Sequence, residues 1–161
     1  MKNKIIITLL VICLIILAVP TAYAQNNTQY NLTETGSYTE YYDDGSYSVT
    51  TIEQSPVSRA TAHQILGKKT IDLYNSDDEL QWTYTLIGTF TVEFGVSSVC
   101  TDSTYTIEIA DSNWHLTAHD NSYSGNIAYG TATIKKKVLF ITTTTYDIEA
   151  DVSCDVDGNV S

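Results

Sequence analysis

The sequence predicts an all-β protein, a single antiparallel, immunoglobulin-like β-sandwich, with a small β-barrel as the alternative. Three observations carry the prediction. From Ser37 onward Thr, Tyr, Val, Ile and Ser dominate, residues that suit pleated strands. Turn text recurs at Asp43-Asp44-Gly45, Asn75 to Asp78, Asp111-Ser112-Asn113, Ser124-Gly125-Asn126 and Asp157-Gly158. No segment sustains the i, i+3, i+4, i+7 apolar repeat of a helix.

Residues 1–24 read as a secretory signal peptide. Lys2 and Lys4 precede the apolar run Ile5 to Val19, and Ala22-Tyr23-Ala24 supplies a small-x-small cleavage site before Gln25. The run is shorter than the ~20 residues a membrane-spanning helix needs, so stable membrane insertion is not expected after cleavage. Residues 25–36 are polar and aperiodic, a flexible leader to one β domain over 37–161. Within it, Ser55 to Gly67 reads as a long connection.

The clearest strand is Leu80 to Phe94. Its even positions, among them Trp82, Tyr84, Leu86, Phe90 and Val92, are apolar, and its odd positions are mostly threonine. Gly88 falls on the apolar face, where it is expected to mark a bend or a site where an aromatic ring crosses from a neighbouring strand. The last strand, Thr142 to Cys154, repeats the pattern. Tyr146, Ile148, Ala150, Val152 and Cys154 share one face, and Asp147, Glu149 and Asp151 point to solvent. At Trp114 to His119 the same period puts Trp114, Leu116 and Ala118 inside and both His115 and His119 outside.

Charge narrows the function. After cleavage six basic residues face all 19 acidic ones, a balance of −13. Such a surface repels nucleic acid and anionic lipid, and Lys135-Lys136-Lys137 is too short a run to reverse that. Cys100 and Cys154 remain after cleavage; an exported, oxidising setting makes them a disulfide. It would close a loop of about 55 residues, a stabilisation of roughly 4 kcal/mol.

No catalytic residue, metal site or cofactor is expected. On a strand, His115 and His119 stand ~13 Å apart, too far to chelate one ion. No serine lies in a Gly-x-Ser-x-Gly elbow. Asp43, Asp44, Asp77 and Asp78 sit in turn text, where carboxylates favour the bend itself. Framed as a calcium loop with Gly158 in sixth place, Cys154 to Ser161 lacks the glutamate of the twelfth, so a hairpin turn with a short return strand is expected. Thr-x-Thr pairs such as Thr83-Tyr84-Thr85 and Thr89-Phe90-Thr91 read as wet sheet surface.

Three stretches, Tyr41 to Glu53, Tyr74 to Thr91 and the closing strand through Ser161, together resemble a group of small secreted proteins of Gram-positive, clostridia-like bacteria. The resemblance spans about residues 38–161. It implies export, a compact β domain and the Cys100–Cys154 bond, and it brings no catalytic residues. Asp78 stands where that group often has glycine. The expected function is an extracellular binding or interaction module without catalysis, secreted or loosely retained at the cell wall, whose partner is an extracellular protein or glycan. A small secreted hydrolase assembled from separate strands is the alternative.

Overall fold

The computed structural model describes residues 31–56 and 63–161. The expected signal peptide, residues 25–30 of the leader and residues 57–62 of the connection lie outside the described residues. Eight strands follow in chain order: β1 Thr33–Tyr41, β2 Tyr47–Gln54, β3 His63–Tyr74, β4 Leu80–Glu93, β5 Ser97–Ile109, β6 Trp114–Ser124, β7 Ile127–Val138 and β8 Ile141–Ser153.

They form two antiparallel sheets, β1-β2-β3-β4-β5 and β6-β7-β8, which do not close into a barrel. The second sheet packs on the first, β7 over β4 and β5, and β8 over β3 and β4. This is the expected two-layer sandwich. Its strands run as two successive meanders, whereas an immunoglobulin domain exchanges strands between its sheets.

The core sits between the layers and follows the alternation of β4. Trp82, Tyr84, Leu86, Phe90 and Val92 are buried, and across from them so are Ile134, Ile148 and Val152. Burying a side chain such as Phe90 or Ile65 contributes about 1.5–3 kcal/mol. The ring over Gly88 belongs to β4 itself. A Cβ at Gly88 would lie 2.6 Å from Phe90 Cζ, and one at the paired Gly67 would lie 2.7 Å from Val152 Cγ1. Two facing glycines thus make the slot that Phe90 fills.

Three expectations change. The connection ends early, because β3 begins at His63 and pairs along the whole of β4, from His63↔Val92 to Tyr74↔Leu80. That long partner organises residues of weak strand propensity. The leader likewise gives way to strand at Thr33, four residues before the expected boundary, through pairing with β2. In β6 a bulge between Leu116 and Ala118 leaves Thr117 unpaired. One extra residue reverses the parity that follows. His115 therefore pairs with Lys135 on the outer face, while His119 pairs with Ala132 on the inner-facing row.

Candidate functional site

One end of the sandwich gathers polar, charged and aromatic side chains from six strands or their turns. The β1–β2 turn is closed by Asp44, whose Oδ1 accepts the Ser46 N–H at 3.0 Å and the Ser46 hydroxyl at 2.5 Å. Gly45 takes φ +83° inside it. The Ser46 Oγ lies 3.2 Å from the Tyr146 hydroxyl of β8. A serine hydroxyl has one proton to give. Since that proton goes to Asp44, Tyr146 donates to Ser46, and the order is Tyr146 to Ser46 to Asp44.

Tyr146 is the hub of an aromatic group. Its ring centroid lies 5.5 Å from Tyr42, 5.8 Å from Trp82 and 5.6 Å from Trp114. Trp114 is oriented by its Nε1–H, which donates to Gln81 Oε1 at 3.1 Å. Over the same ring sits the Lys136 ammonium, 5.4 Å from the centroid and 3.8 Å from Asp111 Oδ2. Between them is a cleft of about 70 Å³, lined among others by Asp44, Ser46, Gln81, Trp114, Lys136 and Tyr146. The hydrogen bonds from Ser46, with help from Lys136, hold the Asp44 carboxyl below its ordinary range. Burial pushes the Tyr146 hydroxyl up. The cleft therefore holds a fixed carboxylate beside an aromatic wall on which a cation already rests.

Beside the cleft projects the β7–β8 hairpin. Lys136 pairs with Thr144, Val138 with Ile141, and the two-residue loop is Leu139-Phe140. Both loop residues take positive φ, +50° and +69°. A two-residue loop with that signature favours Asn-Gly, because a left-handed residue with a Cβ is strained. Instead four consecutive apolar residues, Val138 to Ile141, stand in solvent, with Leu139 86% and Phe140 100% exposed. Contiguous exposed apolar side chains mark a contact surface.

Two further surfaces are polar. Across the outer face of the five-stranded sheet run Ser37, Thr51, Thr70, Thr85 and Thr106, one hydroxyl per strand. On the three-stranded sheet an open trough of about 420 Å³ is lined by Asp120, Asp147 and Glu149 around Thr131 and Thr133. All three carboxylates are exposed to solvent; Asp147 Oδ1 accepts the Thr133 hydroxyl at 2.7 Å and Asp120 Oδ1 the Asn121 N–H at 2.9 Å.

The remaining sequence expectations fall as follows. His119 meets Tyr105, with Nδ1 2.5 Å from the hydroxyl and the rings 4.8 Å apart. Asp155 is occupied in closing the last turn. Its Oδ1 accepts the N–H groups of Asp157 and Asn159, and Cys154 bridges to Val160 as the expected return strand. Cys100 and Cys154 are buried free thiols, not a formed disulfide. Their N–H groups bond the successive carbonyls of Gly125 and Asn126. Each Sγ is directed to a backbone oxygen, that of Asp102 at 3.3 Å and that of Asp155 at 3.6 Å. Burial pushes both thiols up.

Sequence reasoning placed Trp82 and Trp114 inside, where they are, and took Asp44 for a turn residue, which it also is. It missed the Ser46–Tyr146 contact and the apolar tip. Comparison with protein-family models, curated proteins and solved structures finds no match to this chain.

Proposed function

We propose that this chain is an extracellular interaction module without catalysis, exported by its N-terminal signal and binding a partner protein at the end of the sandwich. The exposed Val138 to Ile141 tip carries the reading. Large apolar residues stand exposed in a loop whose backbone disfavours them, and strain held at one place points to a role there. An apolar finger fits a pocket on a protein better than the hydroxyl-covered face of a glycan. The lining residues of the cleft include no histidine, and the carboxylate that takes the Ser46 hydroxyl bond, Asp44, is the one that closes its own turn.

The test is a binding array of extracellular proteins and glycans probed with the wild type and with a Leu139→Ser, Phe140→Ser variant. Protein hits that the variant loses, at unchanged melting temperature, are the expected result. Hits confined to glycans and indifferent to the variant overturn it.

The trough favours one second reading, the hydrolase. Asp120 and Glu149 both pair with Thr131, one from each flanking strand, so the trough carries a carboxylate on either side of it. Inverting glycosidases work with two carboxyl groups set apart to leave room for a water. Turnover of chromogenic glycosides, abolished by Asp120→Asn or Glu149→Gln, would establish it in place of the module.

The same proposal includes a Cys100–Cys154 disulfide, made by exchange with a small-molecule disulfide. The two thiols give up their protons and one electron each, the protein S–S bond forms, and the reagent leaves as two thiols.

A further inference from the structure

We infer that the end cleft receives a lysine side chain of the partner, and that Lys136 is the resident cation this ligand displaces. The inference rests on the interaction-module reading and names the group recognised beside the apolar tip. Its basis is the chemistry already in place. An ammonium is attracted to the face of an aromatic ring, tryptophan best of all. Here the Lys136 ammonium lies over Trp114, and Tyr146 flanks the same ring.

Charge fixes the sign of the ligand. Asp44 and Asp111 bring two negative charges to this end and Lys136 one positive, within a chain of net charge −11. Once Lys136 swings out, both carboxylates are left without a cation. Asp44 is fixed for the purpose, since Ser46 binds its Oδ1 twice and holds it ionised.

Size fixes the shape. A volume of about 70 Å³ is several times the ~10–15 Å³ that one water needs, yet far below the ~300 Å³ or more of a pocket that encloses a whole small molecule. It admits a head group on a thin stem and excludes a sugar ring. Lys136 shows that an unbranched alkyl stem reaches the ring. Since Lys136 lies two residues before Val138, one partner surface can fill the cleft and cover the tip together.

The experiment is a fluorescence titration, because both tryptophans, Trp82 and Trp114, pack on Tyr146. Nα-acetyl-lysine amide is the probe at constant ionic strength. Its Nε-acetylated form and glucosamine are the neutral-head and amino-sugar controls. The expected result is a saturable change with the lysine probe, a Kd on the order of millimolar, and none with either control. Asp44→Asn should raise that Kd about tenfold, as a charge-assisted contact is lost. Lys136→Gln should lower it about threefold by removing the competitor. Circular dichroism and melting temperature confirm that both variants fold, and Asn keeps the Ser46 acceptor.

No saturation, equal response to glucosamine, or a Kd that Lys136→Gln raises overturns the inference. Such a result alongside protein binding that still depends on Phe140 removes the lysine site and leaves the module. Loss of the Phe140-dependent binding removes the module itself.

Discussion

Ser46 and Tyr146, one hundred residues apart in the chain, meet through their hydroxyls at 3.2 Å and tie the first turn of one sheet to the last strand of the other. The contact also orders the protons, because Ser46 passes its own to Asp44. Asp44 is held low chiefly by Ser46, so its share of stability is present above the unfolded pKa and lost as pH falls through the folded one. In Ser46→Ala the Asp44 carboxyl should titrate closer to its ordinary value, seen by NMR. Tyr146→Phe should leave that titration nearly unmoved and cost about 1 kcal/mol in denaturant unfolding, the worth of one hydrogen bond. Equal titration shifts in both variants would refute the proton order.

The Leu139-Phe140 turn holds two exposed apolar residues in a left-handed backbone. Replacing it with Asn-Gly relieves two left-handed residues bearing a Cβ, each worth about 1–2 kcal/mol. The double variant should melt at higher temperature than the wild type and lose partner binding. A lower melting temperature would mean that the tip packs on the protein.

Tyr84 is buried with its hydroxyl unpartnered among the described residues, and it presses on the backbone of Gly130. Burial pushes it up to about 12. The unfolded chain ionises near 10, so this contribution is intact below pH 10 and lost as pH rises toward 12, about 3 kcal/mol in all. Tyr84→Phe should be neutral or stabilising at pH 7 and should flatten the alkaline loss. Gly130→Ala should destabilise by about 1–3 kcal/mol, less when combined with Tyr84→Phe. Additive costs in the double variant would place the strain elsewhere.

Trp82 is 2% exposed and its Nε1–H also has no partner among the described residues. Trp82→Ala should cost more than ~3 kcal/mol as a core deletion. Trp82→Phe should cost much less, since it keeps most of the ring and removes the orphan donor. Chemical denaturation of the two side by side decides it, and comparable losses would argue against a packing role.

The layers of this fold were legible where burial and period agree. Trp82 to Val92 alternates because one face of β4 is covered and the other is wetter, and β8 repeats this to Val152, with buried Cys154 just beyond its end. The parity of β6 was hidden, since a bulge at Thr117 has no residue signature and moved His119 across the sheet. The β7–β8 turn was silent because Leu-Phe occupies a geometry that normally announces itself with Asn-Gly. Tyr146 was placed on the inner face from period alone. That it hydrogen-bonds Ser46 depends on how two meanders dock, which no local pattern encodes.

Burial of the cysteine pair bears on when the proposed disulfide can form. Exchange with a disulfide reagent requires a thiolate. Burial raises both thiols and shields them, so the folded, reduced protein should react slowly. Oxidation is therefore expected while the chain is still folding, before Cys154 is enclosed beneath the last turn. Protein exported through an oxidising compartment should show, by intact mass with thiol capping under denaturing conditions, no free thiol until a reductant is added. Its melting temperature should exceed that of the Cys100→Ser, Cys154→Ser variant, in line with a closed loop of about 55 residues and roughly 4 kcal/mol. Reduced protein should consume a disulfide reagent slowly when native and fast in denaturant. Two capped thiols in the exported, unreduced protein would show that the buried pair stays reduced.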